Sequence, residues 1–278
     1  METSEARRRF TALVEQPHGT FRLAEGALLI AQEEYPTLDI VAYLRRLDAM
    51  ADVVAGRLGL EIEPEHIVAQ LNTYLFDEQG FRGNQTQYYD ARNSFLNEVI
   101  ERKTGIPISL SVVYIEIARH VGLPIVGVGM PGHFLVRYSA QPTVFWIDPY
   151  YRGRILNEAD CQEHLAEMYG DRLPWEAAYG APVSDHAVLQ RMLYNLKSIY
   201  VQQGDHHRAL GVVERLLLLR PDVSTEVRDR GLLQAQLGAV DMALDDLQHY
   251  LQLAPDAPDA AVVAQHIDAL QRHLRRTP

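Results

Sequence analysis

The sequence predicts an α+β domain followed by an all-α helical tail, and three observations carry that prediction. The first third is patterned as amphipathic helices; a nearly all-apolar helix is followed by two β-branched and aromatic runs; and a 34-residue repeat occupies the C-terminal region.

Residues 1–104 form the helical layer in this reading. Leu23, Ala27, Leu28 and Ala31, then Leu38, Val41, Leu44, Leu47, Ala51 and Val54, recur at three- and four-residue spacing. Tyr35-Pro36 separates two of these helices, because the residue before proline is pushed out of the αR region, and Thr37 or Asp39 can cap the second. From Phe81 to Asn93 the pattern dissolves into FRGNQTQYYDARN, a composition that suits an ordered surface loop.

Residues 105–182 form the core. ISLSVVYIEIARHV, from Ile108 to Val121, is apolar around most of its circumference, which predicts a central, largely buried helix with Pro107 in its first turn and Gly122 at its end. The runs His133–Tyr138 and Val144–Asp148 are bounded by Pro131-Gly132, by Ala140-Gln141-Pro142 and by Pro149, and predict an antiparallel hairpin. Helices, then a buried helix, then strands is not the order of a doubly wound sheet.

Residues 183–278 form the tail. Gly204, Ala209, Leu210, Val213, Leu217, Leu219 and Pro221 align with Gly238, Ala243, Leu244, Leu247, Leu251, Leu253 and Pro255 at an offset of 34, the tetratricopeptide period. Residues Asp259 to Leu274 supply a capping helix over the last repeat. So short an array serves either as a concave peptide groove or as a cap packed on the first domain.

Composition narrows the function classes. Of the 278 residues, 47% are hydrophobic and 23% charged, the make-up of a globular protein, and a formal charge of −11 argues against broad nucleic-acid or anionic-membrane binding. The arginine runs Arg7 to Arg9 and Arg272, Arg275 and Arg276 read as solvated helix faces. Cys161 is the one cysteine, so neither an intrachain disulfide nor a multi-cysteine zinc site can form, and it reads as an inert small hydrophobe in a short helix. METSEARRRF has no apolar h-region and no window is long enough to span a membrane, which makes the cytoplasm the expected compartment. No cofactor is expected: phosphate-loop and dinucleotide fingerprints are missing, and the adjacent His206 and His207 diverge on a helix.

The candidate site lies between Gly105 and Tyr150. A cysteine-protease-type site needs a nucleophile at a buried helix N-terminus, a histidine base and a carboxylate to orient it. Ser109 lies in the first turn of the central helix, His133 opens the first strand and Asp148 closes the second. If Arg137 pairs with Val144, His133 falls opposite Asp148, within reach of a side-chain hydrogen bond. Ser109 also reads as a helix-cap or first-turn residue, the commoner role of serine at a helix start, Ser111 as a rival nucleophile or as core, and Asp148 as a turn residue before Pro149. Asn84 and Asn93 either bond their own loop or line the cleft.

The segment NSFLNEVIERKTGIPISLSVVYIEIARHVGLPIVGVGMPGHFLVRY, the following FWIDPYYRG, and the EEYPTLD and LFDEQGFRGN segments resemble the bacterial transglutaminase-like proteins with tetratricopeptide tails. That family is loosely described as regulators of invasion-gene expression (Sir-type), and the resemblance covers nearly the whole chain. It implies a papain-like/transglutaminase-like core, and its members share the departure seen here, with no cysteine at the helix start. A thiol of pKa about 8.5 forms a thiolate–imidazolium pair, whereas serine needs concerted proton removal. The leading expectation is therefore a catalytically weak or inactive domain that binds a protein or peptide partner together with its tail. The alternative is a hydrolase or acyl-transferase using Ser109, His133 and Asp148.

Overall fold

A computed structural model describes residues 5–17, 19–59, 63–140 and 143–276. The chain divides into two compact units, Met1–Met192 and Leu193–Pro278.

The first unit opens with helices α1 (Glu5–Val14), α2 (Leu23–Gln32), α3 (Ile40–Leu58) and α4 (Pro64–Asn72), the last running on into a π-helical turn over Thr73–Glu78. Asp39 caps α3 by accepting from the Ala42 N–H. Helix α2 has no side-chain cap of its own. Glu116, from the middle of the central helix, supplies one: its carboxylate accepts the Ala24 N–H at 2.9 Å and also meets the Arg22 guanidinium.

After the short strand β1 (Arg82–Gly83) come helix α5 (Leu96–Arg102) and strand β2 (Thr104–Gly105), which pairs with β1 in parallel. Helix α6 (Pro107–His120) follows and is buried continuously from Pro107 to Ala118. It packs on α2, α3, α4 and α5 and on strands β3 (Ile125–Val128) and β4 (Leu135–Ala140), so it lies between the helical layer and the sheet. Each of its buried Ile, Leu and Val side chains contributes about 1.5–3 kcal/mol, which makes this helix the centre of the unit's stability.

The sheet is larger than the two-strand hairpin expected. Strands β5 (Thr143–Asp148), β6 (Arg154–Leu156) and β7 (Pro182–Val183) join β3 and β4 in the order β6-β5-β4-β3-β7, antiparallel throughout. β3 contains Gly127, and β6 and β7 are only two or three residues long, so none of the three announces itself by alternation. Helix α7 (Glu158–Tyr169) lies between β6 and β7 in the chain, and its Cys161 and Leu165 are buried.

The β4–β5 register corrects the expected one. Arg137 pairs with Trp146 and not with Val144, and the ladder closes at Ala140 and Thr143. Gln141 and Pro142, the residues expected to make the turn, lie outside the described residues. In the expected register Ser139 would have to pair with Pro142, which has no N–H to offer.

Helix α8 (Asp185–Gln203) carries the chain from the first unit into the second. The second unit continues with α9 (His206–Leu219), α10 (Ser224–Gln236), α11 (Val240–Leu253) and α12 (Ala260–Arg276). The 34-residue offset holds at the level of hydrogen bonds. Gly204 and Gly238 both have positive φ, and the N–H groups of Asp205 and Ala239 reach back to the carbonyls of Tyr200 and Gln234, the same helix-ending motif twice. Ala209 and Ala243 are both fully buried. Val263 and Ile267 give α12 a buried face, as expected of a capping helix.

Candidate functional site: a histidine–aspartate pair and a buried serine

The loop from Phe81 to Asn93 is tied to itself through two asparagines. Asn84 Nδ2 donates to Asn93 Oδ1 at 3.0 Å, Asn84 Oδ1 accepts the N–H groups of Thr86 and Gln87, and Asn93 Nδ2 donates to the carbonyls of Gln87 and Tyr88. Both side chains hold loop backbone. This loop presents the Asn93 carbonyl to the start of α6.

Ser109 meets that carbonyl. It occupies the third position of α6, is fully buried, and its Oγ–H donates to Asn93 O at 2.6 Å. The same oxygen accepts the Ile106 N–H at 3.1 Å, so the side chain reaches back to the residue preceding the helix as an N3 glutamate does in a capping box. Ser111, two residues further on, is also fully buried, and its Oγ has no hydrogen-bond partner among the described residues.

His133 does not open β4, which begins at Leu135. It ends a turn in which its own N–H donates to the Met130 carbonyl, with Gly132 at φ +70°. Arg191 of α8 braces this turn through long contacts, 3.4 Å each, to the carbonyls of Met130 and His133.

Asp148 is held by the turn that follows it. Its Oδ1 accepts the N–H groups of Tyr150 and Tyr151, and its carbonyl accepts the Gly153 N–H. Asn72 fastens that turn from α4, donating to the Gly153 carbonyl at 2.8 Å. A Cβ at Gly153 would stand 1.9 Å from the Asn72 amide, so only glycine closes the turn here.

The two elements bring His133 Nε2 to 2.7 Å from Asp148 Oδ2, with both side chains buried. A carboxylate only accepts, so Nε2 carries the proton shared in this contact. The contact forms despite the changed register, because a shift of two residues keeps every side chain on its face and His133 stands ahead of the ladder.

Three features of this surrounding were absent from the sequence reading. His164 of α7 lies with its ring centroid 4.9 Å from that of His133, and burial, with the neighbouring His133, holds its pKa below the usual histidine value. Tyr150 and Tyr151 stand at 6.0 Å from the His133 ring, so aromatic groups wall the imidazole. The third is the Asn93 carbonyl itself. A signal for His164 was available: it follows the buried Cys161 by three residues, which puts both on one helix face. Cys161 is fully buried, and burial pushes its thiol up to about 12. Among the described residues no group of three or more His, Cys, Asp or Glu is placed to hold a metal ion, and no helix is long and apolar enough to cross a membrane.

Comparison with known proteins agrees with this architecture. The family profile of the transglutaminase-like superfamily matches residues 41–194, and that of the tetratricopeptide repeat matches residues 196–268. The chain belongs to the transglutaminase-like superfamily. More particularly, it is 39% identical over 265 residues to a UPF0162 protein of Xylella fastidiosa, with 93% of each chain covered. A UPF0162 protein of Vibrio cholerae is 25% identical over 95% of this chain and 98% of its own. Human F-box only protein 21 is 30% identical over 223 residues, 69% of this chain and 35% of that protein.

Proposed function

We propose that the first unit is a catalytically weak or inactive transglutaminase-like domain that acts, with its tetratricopeptide tail, as a cytoplasmic protein- or peptide-binding module. The observation that carries this reading is the Ser109 hydroxyl, which is fully buried and bonded to the Asn93 carbonyl at 2.6 Å while accepting the Ile106 N–H. A nucleophile must offer its oxygen to a substrate and its proton to a base. Here the proton is directed at a backbone carbonyl. To attack, Ser109 would have to abandon both bonds in a dry environment.

The resemblance to proteins described as regulators of invasion-gene expression names a phenotype, and a regulatory role exerted through binding is compatible with it. The UPF0162 names carry no activity. Tetratricopeptide units bind extended peptides and helices along their helical faces, which supports assigning partner recognition in part to residues 196–268.

One observation favours a second reading, an active serine-dependent hydrolase or acyl-transferase: the buried His133–Asp148 pair is the base-and-orienter half of a triad. A serine-reactive fluorophosphonate separates the two. The binding-module reading predicts no labelling of wild type, Ser109→Ala or His133→Ala; labelling of wild type that disappears in both variants would establish the enzyme.

A further inference from the structure

A cavity of about 700 Å³ opens between the β1–β2 pair and the turn after Asp148. Its walls include Arg82, Arg102 and Arg152, together with Thr86, Gln87 and Tyr150, and no acidic residue lines it among the described residues. That is an unusual wall in a chain whose acidic residues outnumber its basic ones by 37 to 26. The charge here is concentrated against the trend of the whole molecule.

The three guanidinium groups are not neutralised alike. Arg82 is exposed and makes no ion pair among the described residues. Arg102 reaches Asn93 Oδ1 at 3.5 Å and Asp90 only at 3.9 Å, and its Nη1 is buried with no hydrogen-bond partner among the described residues. An unpartnered guanidinium N–H is expensive to bury unless something accepts from it. Arg152 pairs with the exposed Asp77 and sits at φ +59°, a left-handed conformation that side chains other than glycine, asparagine and aspartate seldom adopt. The chain tolerates that conformation where it places a third guanidinium on the same wall.

We infer that this cavity binds an anionic oxyacid group, a phosphate or a carboxylate, held by Arg82 and Arg102 with Arg152 at its rim. Paired guanidinium forks recognise both groups through charge-assisted hydrogen bonds, and the Gln87 side-chain amide adds a neutral donor. Asn84 joins the cavity to the loop that holds Ser109, and Tyr151 joins it to the histidine–aspartate pair, so an anionic group bound here would position the rest of its molecule along that cleft. The inference does not depend on whether the pair is catalytic.

The test uses the full chain and inorganic phosphate at pH 8, titrated by calorimetry at low and moderate salt, with acetate in a parallel series. Saturable phosphate binding is expected, weakened by added salt and weakened about tenfold in Arg82→Gln and in Arg102→Gln. Arg45→Gln, an exposed arginine on α3 outside the cavity, is expected to bind as wild type. Should Arg102→Gln fail to fold because of its place beside Asn93, the exposed Arg82 decides the matter alone. Acetate binding with the same arginine dependence identifies a carboxylate site, and its absence identifies a phosphate site. Heats that never saturate with either anion, or equal affinity in wild type and Arg82→Gln, would overturn the inference.

Discussion

Asp148 serves His133 and its own turn at once: Oδ2 lies 2.7 Å from His133 Nε2 while Oδ1 accepts the N–H groups of Tyr150 and Tyr151. The carboxylate therefore both bonds the imidazole and ties its own turn. Asp148→Ala leaves a buried imidazole N–H and two backbone N–H groups without acceptors, and a loss of about 2–4 kcal/mol is expected in urea unfolding. Asp148→Asn keeps an acceptor oxygen for the turn and should lose less.

His164 gives the first unit a pH response of defined direction. Its folded-state pKa lies below the unfolded value, so the unfolded chain binds the proton more readily. The contribution of this group is complete above about pH 6.5, the ordinary histidine value, and declines as pH falls toward the lowered folded value. His164→Gln should make stability fall less steeply between pH 7 and pH 5 than in wild type, as read from urea midpoints across that range.

Cys161 should be silent to thiol reagents in the native state. It is fully buried, and its thiol is pushed up to about 12 by burial and by nearby carboxylates. Treatment with a chromogenic disulfide at pH 8 should modify no thiol in the folded protein and one after denaturation.

Gly204 and Gly238 should be equivalent in the second unit. Both hold positive φ and neither would place a Cβ against any neighbouring atom, so alanine there is penalised by backbone conformation alone. Each alanine variant is expected to lower stability by about 1–2 kcal/mol, with Asn less damaging, measured by thermal unfolding.

Much of this was legible in the sequence because it rests on patterns that repeat. The 34-residue offset fixed which glycines end helices, and the all-round apolarity of Ile108 to Val121 marked α6 as central. His133 and Asp148 were recognisable by type and spacing, although the register argued for them was two residues out. What the sequence withheld lies in long-range partners. That the Ser109 hydroxyl meets the Asn93 carbonyl depends on how a sixteen-residue separation folds back, and no local periodicity encodes it. Strands β6 and β7 were hidden for a related reason: at three and two residues, they are defined by their neighbours and not by their own composition.

The central claim is that Ser109 is a structural strut, and equilibrium urea unfolding of wild type and Ser109→Ala tests it most directly. Removing the hydroxyl leaves the Asn93 carbonyl and the Ile106 N–H unsatisfied in a buried site, so the account predicts a loss of about 1–3 kcal/mol. Residues kept for catalysis at the expense of stability behave oppositely when replaced. A Ser109→Ala variant as stable as wild type, or more stable, would contradict the account.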